Sequence, residues 1–188
     1  MPDPVLRRVP RDEMTPRLQQ EHDTAVALRD DATLIEVGAL APELMAWYRD
    51  EFYAKLFYGG RVGTRTKELL RYRLSMTHGC AYCNKGNRVA AEKAGVTAEQ
   101  LHHILDESHA CFSAQDRAVL KLADQIVLTN MHGRLTPALH AELRPHFDDA
   151  QIFELGMVAG ILTGMAKFIF TYDLVEREAS CPIVPLPA

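Results

Sequence analysis

The sequence predicts an all-α fold, and three observations predict it. Apolar residues recur at 3.6-residue spacing through most of the chain. Thr-Pro pairs and Ser, Thr or Asp caps open one segment after another. No segment alternates with period two. The expected architecture has about seven or eight helices. The chain has 188 residues, 47% of them hydrophobic, which suffices for one core. Residues 1–188 therefore read as a single domain with extended tails at 1–14 and 178–188.

The elements follow in order. Residues 1–14 are rich in proline and charge, which favours extended chain. Thr15-Pro16 sets a cap before a proline at the first helical position, and the helix continues through Leu18, His22, Ala25 and Leu28. Arg29-Asp30-Asp31 reads as a turn. Pro42 opens a second helix whose apolar face holds Leu44, Met45, Trp47, Tyr48, Phe52 and Leu56, and Tyr58-Gly59-Gly60 ends it. Thr64 caps a third, carrying Glu68, Leu70, Leu74 and Met76 as far as a break at Gly79. A further helix begins near Ala81 and runs to Gly95, a C-terminal glycine. Thr97 starts a short helix ending near Asp106, Ser113 starts one through Val127, and Thr136-Pro137 opens another. Asp148 or Asp149 caps the last, expected from about Ala150 to Glu176. Prolines after Cys181 forbid helix beyond it.

Composition narrows the function classes. The net charge is −4 and the pI is near 6.1. No basic block or stripe is present, so nucleic acid is not an expected partner. The start MPDPVLRRVPRDE lacks the apolar run of a secretory signal. The most apolar stretch, Gly156 to Phe170, is interrupted by Lys167 and is short for a bilayer span. It reads as a core helix, and no membrane is expected. Its glycines and alanines let neighbouring helices approach closely, and so apolar a helix needs partners on several sides, from this chain or from a second copy. A cytoplasmic protein is the expectation.

The cysteines carry the chemistry. Of Cys80, Cys83, Cys111 and Cys181, only the first two are spaced as a unit, in Cys80-Ala81-Tyr82-Cys83. In a reducing compartment such a pair is catalytic, redox-sensing or metal-binding. A zinc site needs two further ligands, for which His78, His109 and Cys111 stand nearest, but their spacing fits no common zinc pattern. An inert reading, two small apolar groups buried in a core, stays open. No metal is expected, and without a glycine-rich phosphate loop no organic cofactor either.

A helix starting near Ala81 would put Cys80 at its cap and Cys83 in its first turn, where free N–H groups and the helix dipole favour a thiolate. Glu68 lies twelve residues before Cys80. On one straight helix that is about 18 Å, so the two cooperate only if the chain reverses between them. A reversal near His78-Gly79 sets Glu68 opposite Asn87 to Ala90, and Asn87 follows Cys83 by one turn. Glu68 would then accept a proton from Cys83 through Asn87 or water. The plainer alternative is a surface carboxylate paired with Arg71 or Arg65. His78 adjoins the turn, either tuning the thiols or facing solvent. Tyr82 offers a hydroxyl or packs between helices.

Glu68, Gly79-Cys80-Ala81-Tyr82-Cys83, Ala90, Ala91 and Gly95 together resemble the core motif of the carboxymuconolactone decarboxylase / alkylhydroperoxidase D (AhpD-like) family. The resemblance is firmest over 64–95 and extends more loosely through Phe147-Asp148-Asp149 and Phe153-Glu154-Leu155. It implies an all-α fold and a homo-oligomer, trimer or hexamer. It also implies a peroxidase branch using a glutamate, two cysteines and a histidine four residues after the second cysteine. Glu68, Cys80 and Cys83 match, with Cys83 attacking peroxide and Cys80 resolving. Asn87 stands where the histidine would, and Tyr82 where the relay has another histidine. Asparagine holds a water or a carboxylate but does not titrate. The expected function is thus a thiol-dependent oxidoreductase of peroxiredoxin or alkylhydroperoxidase type, restored by a thiol or dithiol reductant. The alternatives are a lyase, isomerase or hydrolase on a small lactone or carboxylic acid, held by Arg71, Arg73 or Arg88, and a redox sensor without turnover.

Overall fold

The computed structural model describes residues 1–183. Among them all regular structure is helical: α1 Pro16–Arg29, α2 Thr33–Gly38, α3 Pro42–Trp47, a π-helical run Tyr48–Tyr58, α4 Thr64–His78, α5 Ala81–Lys93, α6 Ala98–His102, α7 Ala114–Ile126, α8 Pro137–Leu143 and α9 Asp149–Thr171, with a 3₁₀ turn at Arg11–Glu13.

The caps explain the boundaries. Thr15, Thr97, Ser113, Thr136 and Asp148 each accept a hydrogen bond from an amide in the first turn of the helix that follows. Three of these complete a reciprocal box, with Gln100, Asp116 and Gln151 reaching back. The helix expected from Pro42 to Tyr58 is a short α3 that widens into the π-helical run, which stacks Tyr48, Phe52, Tyr53 and Phe57 against one another. Helix α2, with Ile35 and Val37 buried, has no counterpart among the expected elements.

Helix α4 is the centre of the molecule. Leu70 and Leu74 pack with α7 and α9 residues Val119, Leu122, Leu155 and Val158. Leu69 and Tyr72 pack on the opposite side with Ala91, Leu101, Ile104 and Leu120. Buried ion pairs hold its ends. Lys67, fully buried, meets Glu154 of α9 at 2.6 Å, and Arg73 meets Asp124 of α7 at 2.7 Å.

The ends are packed onto the fold. Residues 1–14 are extended apart from the 3₁₀ turn, with Val9 and Met14 buried and the Val9 amide donating to the Glu36 carbonyl. Helix α9 stops at Thr171 instead of Glu176, because Asp173 turns into the left-handed region (φ 52°) and sends the chain back. The following segment folds onto the α4–α5 turn, where the Glu178 amide donates to the Gly79 carbonyl and Cys181 Sγ to the His78 carbonyl. The rest of the expected tail, 184–188, lies outside the described residues.

The 23 residues of α9 are long and apolar enough to cross a membrane by length and composition alone, which exceeds the shorter span read from sequence. In the fold one side of α9 is core. The other leaves Phe153 71% exposed, Met157 and Phe168 partly exposed, and open space beside Gly156, Gly160 and Gly164.

Candidate active site

The α4–α5 turn builds the site. Gly79, at φ 65°, closes α4 and reverses the chain, and α5 starts two residues later. Cys80 is the N-cap of α5, its sulfur accepting from the Cys83 amide at 3.2 Å. The two cysteines are joined as a disulfide with Cα atoms 5.2 Å apart. Both border a cavity, unequally: Cys80 is 1% exposed, while Cys83 is half-buried.

That cavity has a volume of about 1170 Å³ and a mostly apolar wall. One side is a face of α5: Cys83, Gly86, Asn87, Ala90 and Lys93, spaced as a helical stripe. Arg71, Leu74, Ser75 and His78 of α4 form another, and α1, the π-helical run and α9 complete it.

Each sequence-predicted residue has a definite place. Asn87 is half-buried and lines the cavity one turn from Cys83. Tyr82 is buried among Val37, Ala166 and Ile169, the packing role. His78 is 1% exposed, not a loop residue. Its Nε2 accepts from the Leu128 amide at 3.2 Å, which leaves the ring hydrogen on Nδ1. Burial lowers its pKa to about 4, so the ring is neutral at physiological pH.

Glu68 is 1% exposed and does not itself line the cavity. Its carboxylate is turned to Arg71 at 2.6 Å, an ion pair without the alignment of a hydrogen bond. Burial raises the Glu68 pKa, against the pull of Arg71 and Tyr58. The surface-pair reading is thus half right: the partner is Arg71, but the pair is buried. Among the described residues no hydrogen bond joins Glu68 to Asn87 or Cys83. Arg71 stands on the cavity side of the pair, its guanidinium over the rings of Phe57 (4.9 Å) and Tyr53 (5.7 Å).

Of the three arginines suggested for a substrate carboxylate, only Arg71 faces the cavity. Arg73 is bound to Asp124 and Arg88 to Glu92. The zinc candidates do not converge: His78 lies in the cavity wall, while the Cys111 amide is tied to His109 in the loop before α7. Among the described residues no group of three or more His, Cys, Asp or Glu is arranged to hold a metal.

Tyr48 and Tyr53, from the aromatic run whose alternatives in sequence are core or pocket wall, line the cavity around Arg71 together with Tyr58. Two features escaped the sequence reading. Arg29, taken as a turn residue, lies over Tyr82 at 4.8 Å and against Gly86. Cys181 is folded back beside the pair instead of reaching outward. Only Gly86 gave a signal: a glycine inside a helix has a packing or functional reason.

Residues 42–125 match the carboxymuconolactone decarboxylase family. An uncharacterised protein of Bacillus subtilis, YdfG, is 31% identical over 122 residues, which span 63% of this chain and 80% of that protein. The chain belongs to the carboxymuconolactone decarboxylase family. The matched region holds Glu68, both cysteines and Asn87, and leaves out Arg29 and the C-terminal segment.

Solved structures share the fold over nearly the whole chain. The alkylhydroperoxidase AhpD core of a peroxidase-related protein from Ralstonia eutropha has a TM-score of 0.69 at 15% identity, covering 95% of this chain and 94% of that one. The debrominase Bmp8, a cysteine-to-alanine variant with 2,3,4-tribromopyrrole bound, has a TM-score of 0.72 at 16% identity, covering 94% and 93%. The fold is therefore AhpD-like. A debrominase and an uncharacterised peroxidase-related protein share this fold, so the fold alone leaves the reaction open.

Proposed function

We propose that this protein is a thiol-dependent oxidoreductase of the peroxidase type, acting on organic hydroperoxides with an apolar body. One observation carries this reading: the cysteine pair lies at a helix N-terminus in the wall of a large apolar cavity, and Cys83 is the more exposed of the two.

In the reduced state Cys83 attacks the outer oxygen of the hydroperoxide as thiolate. The O–O bond breaks, the alcohol leaves, and Cys83 becomes a sulfenic acid. The Cys80 thiol displaces water from it and forms the disulfide seen here. A thiol or dithiol then returns two electrons and two protons. Glu68 accepts the Cys83 proton only through intermediates, Asn87 and water, because its carboxylate is turned to Arg71. A cytoplasmic location keeps such a pair cycling, and a second copy of the chain covers the apolar face of α9 in a trimer or hexamer.

A second reading has its own support. The cavity is far larger than a small peroxide, and a debrominase shares the fold. Two thiols can equally replace a ring halogen by hydrogen, releasing halide and leaving the same disulfide. The lactone or carboxylic-acid alternative retains only Arg71 among its arginines.

The test counts free thiols in the reduced protein before and after one equivalent of an organic hydroperoxide, with Cys83→Ser as control. Loss of two thiols in the wild type, reversed by a dithiol and absent in the variant, supports peroxidase chemistry. Unchanged thiols with peroxide, but loss of two with bromide release from a brominated phenol, favours the second reading.

A further inference from the structure

The family's relay has a titratable histidine one turn after the attacking cysteine, and Asn87 leaves that position uncharged. The structure puts a cation beside it from another element. Gly86 follows Cys83 by three residues on the cavity face of α5. A side chain there would set its Cβ about 5–6 Å from that of Cys83. No such Cβ fits: the space is filled by the Arg29 guanidinium of α1, whose Cζ would lie 2.5 Å from it. The guanidinium lies over the Tyr82 ring, 4.8 Å from its centroid, and the Arg29 main chain is held by its carbonyl, which accepts from Lys85 Nζ at 3.1 Å.

We infer that Arg29 is a positioning residue for the reaction, the cation that holds Cys83 as a thiolate in place of the missing histidine. Among the described residues no carboxylate pairs with Arg29, and its Nε is buried without a hydrogen-bond partner. The other cavity arginines are already neutralised: Arg17 by Asp50 and Glu21, Arg49 by Glu21, Arg71 by Glu68. Of the remaining groups around α5, Asp31 opposes this charge: its carboxylate hydrogen-bonds only Thr33 and acts on the same Tyr82 as Arg29. The others do not: Lys85 faces Glu176, Glu178 accepts from Asn84, His78 is neutral, and Lys93 lies two turns further along. A thiolate gains from an opposite charge at this range and needs no proton carrier on the same helix. Gly86 is then required by the charge: only a residue without Cβ admits the guanidinium.

This role for Arg29 rests on Cys83 being the reacting cysteine. The experiment follows iodoacetamide alkylation of Cys83 against pH by peptide mass spectrometry, in a reduced Cys80→Ser background. Alkylation of the remote Cys111 in the same samples reports on the fold. Arg29→Gln is expected to move the Cys83 midpoint up by about one pH unit or more, cutting the rate near pH 7 by about tenfold. Arg29→Lys should move it less. Gly86→Ala, which keeps the arginine but displaces it, should move it in the same direction as Arg29→Gln. A midpoint that is low in the wild type and unmoved by Arg29→Gln and Gly86→Ala, with Cys111 unchanged, overturns the inference and leaves the peroxidase reading intact. A wild-type midpoint at the ordinary thiol value of about 8.5 sinks both.

Discussion

Cys80 and Cys83 are three residues apart and chemically unequal. Both border the cavity, but Cys80 is buried between the α4–α5 turn and the returning C-terminal segment, while Cys83 is half-buried. That difference in access is what supports the proposal of attack by Cys83 and resolution by Cys80. Glu68 makes no direct hydrogen bond to Cys83, since its carboxylate is turned to Arg71. If Glu68 nevertheless accepts the Cys83 proton, Glu68→Gln should raise the Cys83 alkylation midpoint and slow peroxide consumption by about tenfold or more. An unchanged midpoint would remove Glu68 from the proton path. His78 gives a stability prediction. The folded ring titrates near 4 and the unfolded one near 6.5, so the unfolded chain binds the extra proton between those values. The neutral ring's contribution is full above pH 6.5 and lost as pH falls toward 4, by on the order of 3 kcal/mol. Urea midpoints measured against pH should fall through that window in the wild type and fall less in His78→Gln.

At the scale of elements, the α4–Gly79–α5 reversal was legible because helix breaks have local causes. Gly79 supplies the left-handed residue, and Cys80 caps the next helix. The helix starts at Thr97 and Ser113, and a cap at Asp148 or its neighbour, were legible for the same reason. The π-helical widening at Tyr48–Tyr58 was not, since it answers to the stacking of rings against a core. Nor was the end of α9. Gly79 also receives the returning chain, and a Cβ there would meet Cys181 Cα at 2.6 Å. Gly79→Ala should therefore cost about 1–2 kcal/mol for the backbone alone, and more for the displaced segment. Thermal melting checks the first part. Faster alkylation of Cys181 checks the second, and a Cys181 rate equal to wild type would show that the segment is held elsewhere.

At the scale of the molecule, α9 has two faces: one packs in the core and the other presents Phe153, Met157 and Phe168. An apolar stripe of this kind on a 23-residue helix calls for a cover. Light scattering should find the wild type as a homo-oligomer, and Phe153→Glu with Met157→Glu should shift it toward monomer with its helicity kept. A wild type that is monomeric at micromolar concentration would leave α9 uncovered and refute the assembly.

The sequence by itself determined the helical class, most helix starts and the turn that carries the cysteine pair. Each is set by residues within one or two turns of one another, where caps, glycines and spacing act directly. Only the tertiary structure decided which cysteine is the more exposed, that His78 is buried and neutral, and that Glu68 faces Arg71. It also decided that Arg29 occupies the space left by Gly86. Those outcomes depend on burial and on charges brought together from distant parts of the chain, and desolvation and Coulomb forces act through space, whatever the separation in sequence.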